Sequence, residues 1–285
     1  MSRIESLSML LETTGRDFLA EEYGKVIENI QKMTIAGALK NTDLSGTPTA
    51  GTVEAKRFVN SQSQAYGTAR AAGAANNVRV RPVTIPIDQD REIIEEIENK
   101  DVALYGVEGT IQRRIANHQR SLMREIERSF FTEANTAGTA ITATSTAINV
   151  ITEQVIQQIE STQNDFVDGV DRDMISLVMD TFHYGLLRDD LDRETNNANV
   201  NTAVAEFRIY HGVRVFPSVY LPAGTGIVGM AQGSVAQPIM PVLSDPVKIQ
   251  LSDAYAFGIF FYYGVKSVMP DLIVTYSPPV TPPGP

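Results

Sequence analysis

The sequence predicts an α+β protein on three observations. Helical periodicity runs through the first forty residues and the middle of the chain, strand-like alternation takes over in the last third, and about 40 residues between the first two helical blocks carry no apolar face of their own. At 285 residues the chain is long enough to bury a substantial core, as one large domain or two modest ones. Hydrophobic content of 43% with 20% charged residues describes a globular protein and not a disordered one.

Residues 2–40 read as helical. "FLAEEYGKVIENIQKM" puts Leu19, Tyr23, Val26, Ile27 and Ile30 on one face, with Glu21, Glu22, Lys25 and Glu28 elsewhere, and the pattern stops in the turn formers of "GALKNTDLSGTPTAGT". From Gly46 to Ile87, two weakly strand-like arms, "TVEAKRFV" and "VRVRPVTIPI", flank a polar tip rich in Ala and Gly. That layout predicts a long two-stranded hairpin, which is marginal alone in water and needs something to lie on.

Residues 88–133 hold the longest helical pattern, with one helix expected from about Asp101 to Glu133. Ile111, Ile115, His118, Leu122, Ile126 and Phe130 form its apolar stripe, interrupted by the histidine alone. Arg113, Asn117, Arg120, Arg124 and Arg128 form a second stripe with the same steps. The arginines read either as a solvated face with local pairs such as Arg124 with Glu127, or as a charged contact with another subunit.

"TAINVITEQVIQQIESTQ" is an amphipathic helix with Ile148, Ile151, Val155 and Ile159 inward. "DRDMISLVMDTFHYGLL" begins as a strand ending in Asp180 and continues as a helix, after which "DDLDRETNNANVN" is a polar loop. "EFRIYHGVRVFPSVYL", "VKIQL", "AFGIFFYYGVKSV" and "DLIVTYS" alternate like strands. The tail "SPPVTPPGP" has a composition that predicts disorder, and no internal repeat is visible.

Composition removes several function classes. The absence of Cys excludes disulfides, thiolate metal sites and cysteine nucleophiles. A net charge of −10 argues against sequence-independent nucleic-acid binding, which needs a basic footprint. No run approaches the ~20 apolar residues of a membrane span, and the N-terminus lacks a signal-peptide layout, so intracellular synthesis is expected. His118, His183 and His211 lie in a helix stripe, a strand-to-helix region and a β segment, with nothing bringing two together. "DFVDGVDRD" does not match a calcium loop and reads as a hydrated turn. Glu95 and Glu96, read as a polar helix face, have no partner that would separate their pKa values. No cofactor is expected, no catalytic or metal residue is assigned, and an enzyme is disfavoured.

"PAGTGIVGM", Pro222 to Met230, contains G-x-G-x-x-G at Gly224, Gly226 and Gly229. Such glycines cradle a dinucleotide when a helix follows them. Here Gly233, Pro238, Pro241 and Pro246 leave no room for that helix, and the motif reads as a β-turn.

The order of features resembles the HK97-fold major capsid proteins of tailed bacteriophages. "HGVRVFPSVYLPAGTGIVGM" looks like that family's strand, turn and strand, and "AFGIFFYYGVKSVMPDLIVTYS" like its closing strands, with the likeness covering roughly residues 46–277. The resemblance implies an N-terminal arm at 1–45, an extended hairpin or E-loop at 46–90, and a P-domain with a spine helix at 91–165. An axial A-domain would occupy 166–240, with return strands and the Pro-rich tail at 241–285. It implies self-assembly into hexamers and pentamers of an icosahedral shell around double-stranded phage DNA, held without sequence-specific binding. Portal and scaffolding or decoration proteins would be further partners, no membrane is involved, and the place would be the virion capsid, assembled in the host cytoplasm.

Some members cross-link a hairpin Lys to an Asn of a neighbour with a Glu assisting. Lys56 stands in the hairpin position, but no Asn follows Asn201 and no Glu follows Glu206, so a non-covalent shell is expected. About 45 residues precede the hairpin, short for a scaffold-like segment, which leaves a separate scaffolding protein or an interlocking arm at 1–40. The candidate intersubunit contacts are Lys56, Arg57, Arg79 and Arg81 on the hairpin and Arg113, Arg120, Arg124 and Arg128 on the helix. An encapsulin-like compartment shell is the alternative, with a nucleotide-binding enzyme a distant third.

Overall fold

The structure is a computed structural model that describes residues 3–61, 63–68, 79–193 and 208–278. After a short turn of 3-10 helix, α1 (Thr13–Met33) buries Phe18, Leu19, Tyr23, Val26 and Ile30, the stripe its periodicity dictates. Thr34 then caps α2 (Ile35–Leu39), its Oγ1 accepting the Gly37 N–H at 2.9 Å. β1 (Leu44–Ser45), β2 (Thr52–Phe58) and β3 (Val80–Pro86) make a small antiparallel sheet. The two hairpin arms pair from Thr52↔Pro86 to Phe58↔Val80. The base is held from within the chain, because Val53, Ala55 and Ile85 pack with Ala236 and Val268.

The next element corrects a sequence expectation. Residues 89–97, taken as the front of a helical pattern, form a strand, β4 (Gln89–Ile97), and Glu95 and Glu96 therefore point to opposite faces. Pairing with nine successive residues of a later strand overrides the weak strand propensity of this charged segment. The long helix α3 (Gly106–Ala137) starts at Gly106 instead of Asp101 and runs past Glu133. Its apolar stripe, His118 included, is buried as expected.

Beyond it come β5 (Thr139–Ala140), α4 (Ile148–Glu160), β6 (Ile175–Met179) and α5 (Thr181–Arg193). All four isoleucine and valine positions expected inward on α4 are buried. Asp180 closes the strand-to-helix joint, its Oδ1 accepting the His183 N–H at 2.7 Å. The remaining elements are β7 (Ile209–Tyr210), β8 (Val213–Pro217), β9 (Ile227–Ala231), β10 (Val235–Ala236), β11 (Ile239–Lys248), β12 (Tyr255–Tyr263), β13 (Lys266–Ser267) and β14 (Ile273–Tyr276). β11 begins well before "VKIQL". It accommodates its prolines because it lies at a sheet edge and breaks register between Ser244 and Val247, which passes Asp245 and Pro246.

Two bodies of structure result. In one, the antiparallel sheet β11-β12-β4 lays one face on α1 and α3, around Tyr23, Ile115, Leu122, Phe257 and Phe261. In the other, a mixed six-stranded sheet, β5-β14-β9-β6-β8-β7, packs against α4 and α5. The C-terminal half of α3 belongs to both, since Phe130, Phe131 and Ala134 pack with α2, Val228, Met230 and Ile273. Residues 4–39 pack along their own chain: Ile4, Leu7 and Leu10 join the cluster under α3, and Ala36 and Leu39 the one around Phe130. The hairpin tip, most of the polar loop after Asp189 and the Pro-rich tail lie outside the described residues.

Candidate assembly surface

The eight basic residues singled out in the sequence fall into two groups with different fates. On the hairpin, Lys56, Arg79 and Arg81 are exposed and make no ion pair among the described residues. Arg57 is different, because its guanidinium is bound inside the chain. Its two terminal nitrogens each lie 2.6 Å from an oxygen of Asp271, and its plane stacks 4.3 Å over the Phe166 ring. Asn164 donates a further bond to Asp271 at 2.5 Å. Burial pushes the Asp271 carboxyl up, but the bonds from Arg57 and Asn164 outweigh it and hold the group below its ordinary value. Phe166, Asn164 and Asp271 were invisible as partners in the sequence, since Asp271 lies 214 positions from Arg57.

On α3, Arg113, Arg120, Arg124 and Arg128 are all exposed. Arg113 stacks on Tyr105 at 4.0 Å, and the other three make no ion pair among the described residues. The local pair of Arg124 with Glu127, part of the solvated-face reading, does not form. Glu127 is buried against the start of α2, where it accepts the Ile35 N–H at 2.6 Å. Burial raises its pKa, with the amides of Ile35 and Ala36 pulling the other way. One helix thus uses a carboxylate inward as a backbone acceptor and leaves its guanidinium row facing out.

A groove of about 820 Å³ separates that row from β4, with Arg124, Arg128, Glu125 and Glu95 among its walls. Arg91 and Glu125 pair across it at 2.7 Å. At its floor Arg114 holds Glu95 through two nitrogens, one at 2.6 Å, and Glu95 Oε1 faces His118 Nε2 at 3.2 Å without hydrogen-bond alignment. His118 Nδ1 meets the Tyr23 hydroxyl at 2.8 Å. Glu95 can only accept, so the tautomer with its proton on Nε2 is the one that suits the carboxylate, and Nδ1 is then free to accept from the Tyr23 hydroxyl, whose pKa burial raises strongly. His118 is therefore a packed core histidine joining α1, α3 and β4. His183 bonds Asp180 and packs against the backbone at Gly226, while His211 stacks on Tyr210 at 4.1 Å. Among the described residues no group of three or more acidic or histidine side chains is placed to hold a metal.

The glycine motif resolves as a turn entering a strand. The Thr225 N–H donates to the Pro222 carbonyl at 3.0 Å, Gly224 takes φ +84°, and Gly229 lies within β9. No helix follows on which a pyrophosphate would sit.

No family model matches the chain, and no curated protein matches it in sequence. Solved structures do match in fold. The capsid structure of cyanophage P-SCSP1u is 13% identical, covers 84% of this chain and 86% of that one, and gives a TM-score of 0.60. A structure from Mycobacterium phage Che8 is 17% identical, covers 79% and 84%, and gives 0.55. The virus-like particle from Pyrococcus furiosus is 10% identical, covers 90% and 98%, and gives 0.56. The chain has the HK97-like capsid fold, α+β, that its sequence resembles.

Proposed function

We propose that the chain is a structural shell protein, assembling without covalent cross-links into pentamers and hexamers that close an icosahedral capsid around phage double-stranded DNA. The observation that carries this reading is the likeness of fold along four-fifths or more of the chain to phage capsid structures and to a virus-like particle. Two features support it. The hairpin projects basic and apolar side chains that its own chain leaves uncovered, and on α3 the exposed Arg120, Arg124 and Arg128 make no ion pair among the described residues. Neighbouring copies would cover these surfaces in a shell, and head-to-tail contacts between copies close into rings. The reading leaves no catalytic role to assign. It carries with it the domain division drawn from the resemblance, portal and scaffolding or decoration partners, and a place in the virion after assembly in the host cytoplasm.

Light scattering and electron microscopy on the purified full chain test it. Rings of five or six, or closed shells, are expected, and a monomer of 31.2 kDa at every salt concentration would overturn it. The likeness to the Pyrococcus particle favours one second reading, a shell with other contents, which nuclease treatment and mass measurement of the particle interior decide.

A further inference from the structure

A groove of about 770 Å³ opens at the end of β14. Residues 141–146, between β5 and α4, line it together with Phe182, His183 and Leu186 of α5 and with Tyr276 and Ser277. Phe182 is 66% exposed, and Leu186, one turn further along the helix, is 40% exposed. The rings form a row, with Phe182 edge-on to His183 at 5.4 Å and His183 edge-on to Tyr276 at 5.8 Å. No Lys, Arg, Asp or Glu lines the groove, although 20% of the chain is charged. An aromatic, uncharged cleft of this size does not suit a nucleic-acid backbone, which is held by basic side chains. It suits an uncharged segment that has little conformational freedom to lose on docking.

The same chain carries such a segment beside the opening. Ser277 lines the groove, the described residues stop at Pro278, and residues 279–285 beyond them read PVTPPGP. That stretch has no charge, and Pro279 and Pro282 stand in P-x-x-P spacing. Sequences of this kind favour a preformed polyproline II helix, which binds in aromatic-lined grooves at a low cost in entropy. Proline residues offer carbonyl acceptors and no N–H, and the groove supplies hydroxyl donors on Thr142, Thr144, Ser145 and Thr146. Because the segment starts at the groove, no linker has to be closed to bring the two together.

We propose that the groove beside β14 is the docking site for residues 279–285 of the same chain, with the prolines against Phe182, Leu186 and Tyr276. This goes beyond the shell reading and does not depend on it. The docked tail ties α5 to the segment that leads into α4, and it takes the exposed faces of Phe182 and Leu186 out of water.

The cysteine-free chain makes the test direct. Thr281→Cys is combined with Leu186→Cys in the groove, or with Val219→Cys outside it, in the full chain. Val219 is 68% exposed and follows β8, three strands across from β14 and so about 14 Å away. Residue 281 can reach about 17 Å from Tyr276, so an undocked tail meets both positions. Oxidation is followed on non-reducing gels and by intact mass. The disulfide within one chain should form about tenfold faster with Leu186→Cys than with Val219→Cys. Equal rates would overturn the proposal, and so would a cross-linked dimer in place of the internal bond, which would put another copy's tail in the groove. Thermal unfolding gives a second readout without cysteines. Pro279→Gly with Pro282→Gly should lower the midpoint by about 2 °C more in the parent than in Phe182→Ser, since the effect of glycine on the unfolded chain is common to both. The same shift in the two backgrounds would sink the assignment.

Discussion

Arg57 and Asp271 hold each other at two points, each terminal guanidinium nitrogen 2.6 Å from one carboxylate oxygen. The pair ties the arm of the hairpin to the turn that leads into β14, and Phe166 under the guanidinium completes the joint. Together with the packing of Val53, Ala55 and Ile85 on Ala236 and Val268, it fixes the hairpin base relative to the body of its own chain.

Replacing Arg57 by Ala leaves a mostly buried carboxylate with Asn164 as its remaining side-chain donor, at a cost of about 2 kcal/mol in denaturant unfolding. Arg57→Lys should recover less than half, since an ammonium cannot bond both oxygens in one plane. The Asp271 pKa lies below its ordinary 3.8 in the folded chain. Its contribution is thus complete above pH 3.8 and is lost as pH falls through the folded value, and an acid titration of Arg57→Ala should show a weaker loss than the parent.

His118 gives a second acid-sensitive joint at higher pH. Burial lowers its pKa below 6.5, opposed by Glu95 and reinforced by Arg114. Because the folded state takes up the proton later than the unfolded one, stability should fall as pH drops below 6.5 towards the folded value. Protonation also removes the acceptor that the Tyr23 hydroxyl uses. Thermal midpoints measured from about pH 7.5 to about pH 5 should decline less in His118→Gln than in the parent. Tyr23→Phe should cost about 1 kcal/mol at neutral pH, and an unchanged midpoint would mean that the buried hydroxyl contributes nothing.

The contrast between Arg124 and Glu127 separates surface from interior on one helix. Arg124→Ala should change stability by less than about 0.5 kcal/mol, because the side chain is exposed and makes no ion pair among the described residues. Glu127→Ala should cost about 2 kcal/mol, since it strands the Ile35 amide at a buried helix start. Glu127→Gln retains an acceptor oxygen and removes the buried charge, so it should lie much closer to the parent.

The elements legible in the sequence are those with strong local period: α1, α4, the β6–α5 joint, β12 and β14 form on the segments their apolar spacing marks, and α3 does so with its start moved to Gly106. β4 was illegible because its identity depends on β12. "REIIEEIE" has two isoleucines side by side, which suits a helix face as well as a strand with one half-exposed side. The choice is made by Gly258, whose missing side chain leaves room for Ile93 and Ile94 of the neighbouring strand; a Cβ there would lie 2.1 Å from the Ile93 carbonyl oxygen. The partner of Arg57 is illegible for a similar reason. Its charge and place on the hairpin were visible, but its partner comes from a turn far along the chain. Glu127 shared a helix with unpaired arginines, and only α2 folding back reveals that it faces inward.

Gly229, the last glycine of G-x-G-x-x-G, allows a final discrimination between turn and nucleotide site. It pairs with Leu177 and Val274 in the middle of the six-stranded sheet, and a Cβ at this position would lie 2.5 Å from a Val155 methyl and 3.0 Å from one on Ile159. The glycine is there so that α4 can lie close on β9. Gly229→Ala should therefore destabilise by about 1–3 kcal/mol through overpacking. Gly224→Ala strains a left-handed turn on the surface and should cost about 1 kcal/mol. Neither effect should depend on nucleotide. A midpoint raised by millimolar nucleotide in the parent and not in Gly229→Ala would reverse this account, because ligand binding stabilises only a fold that holds the ligand.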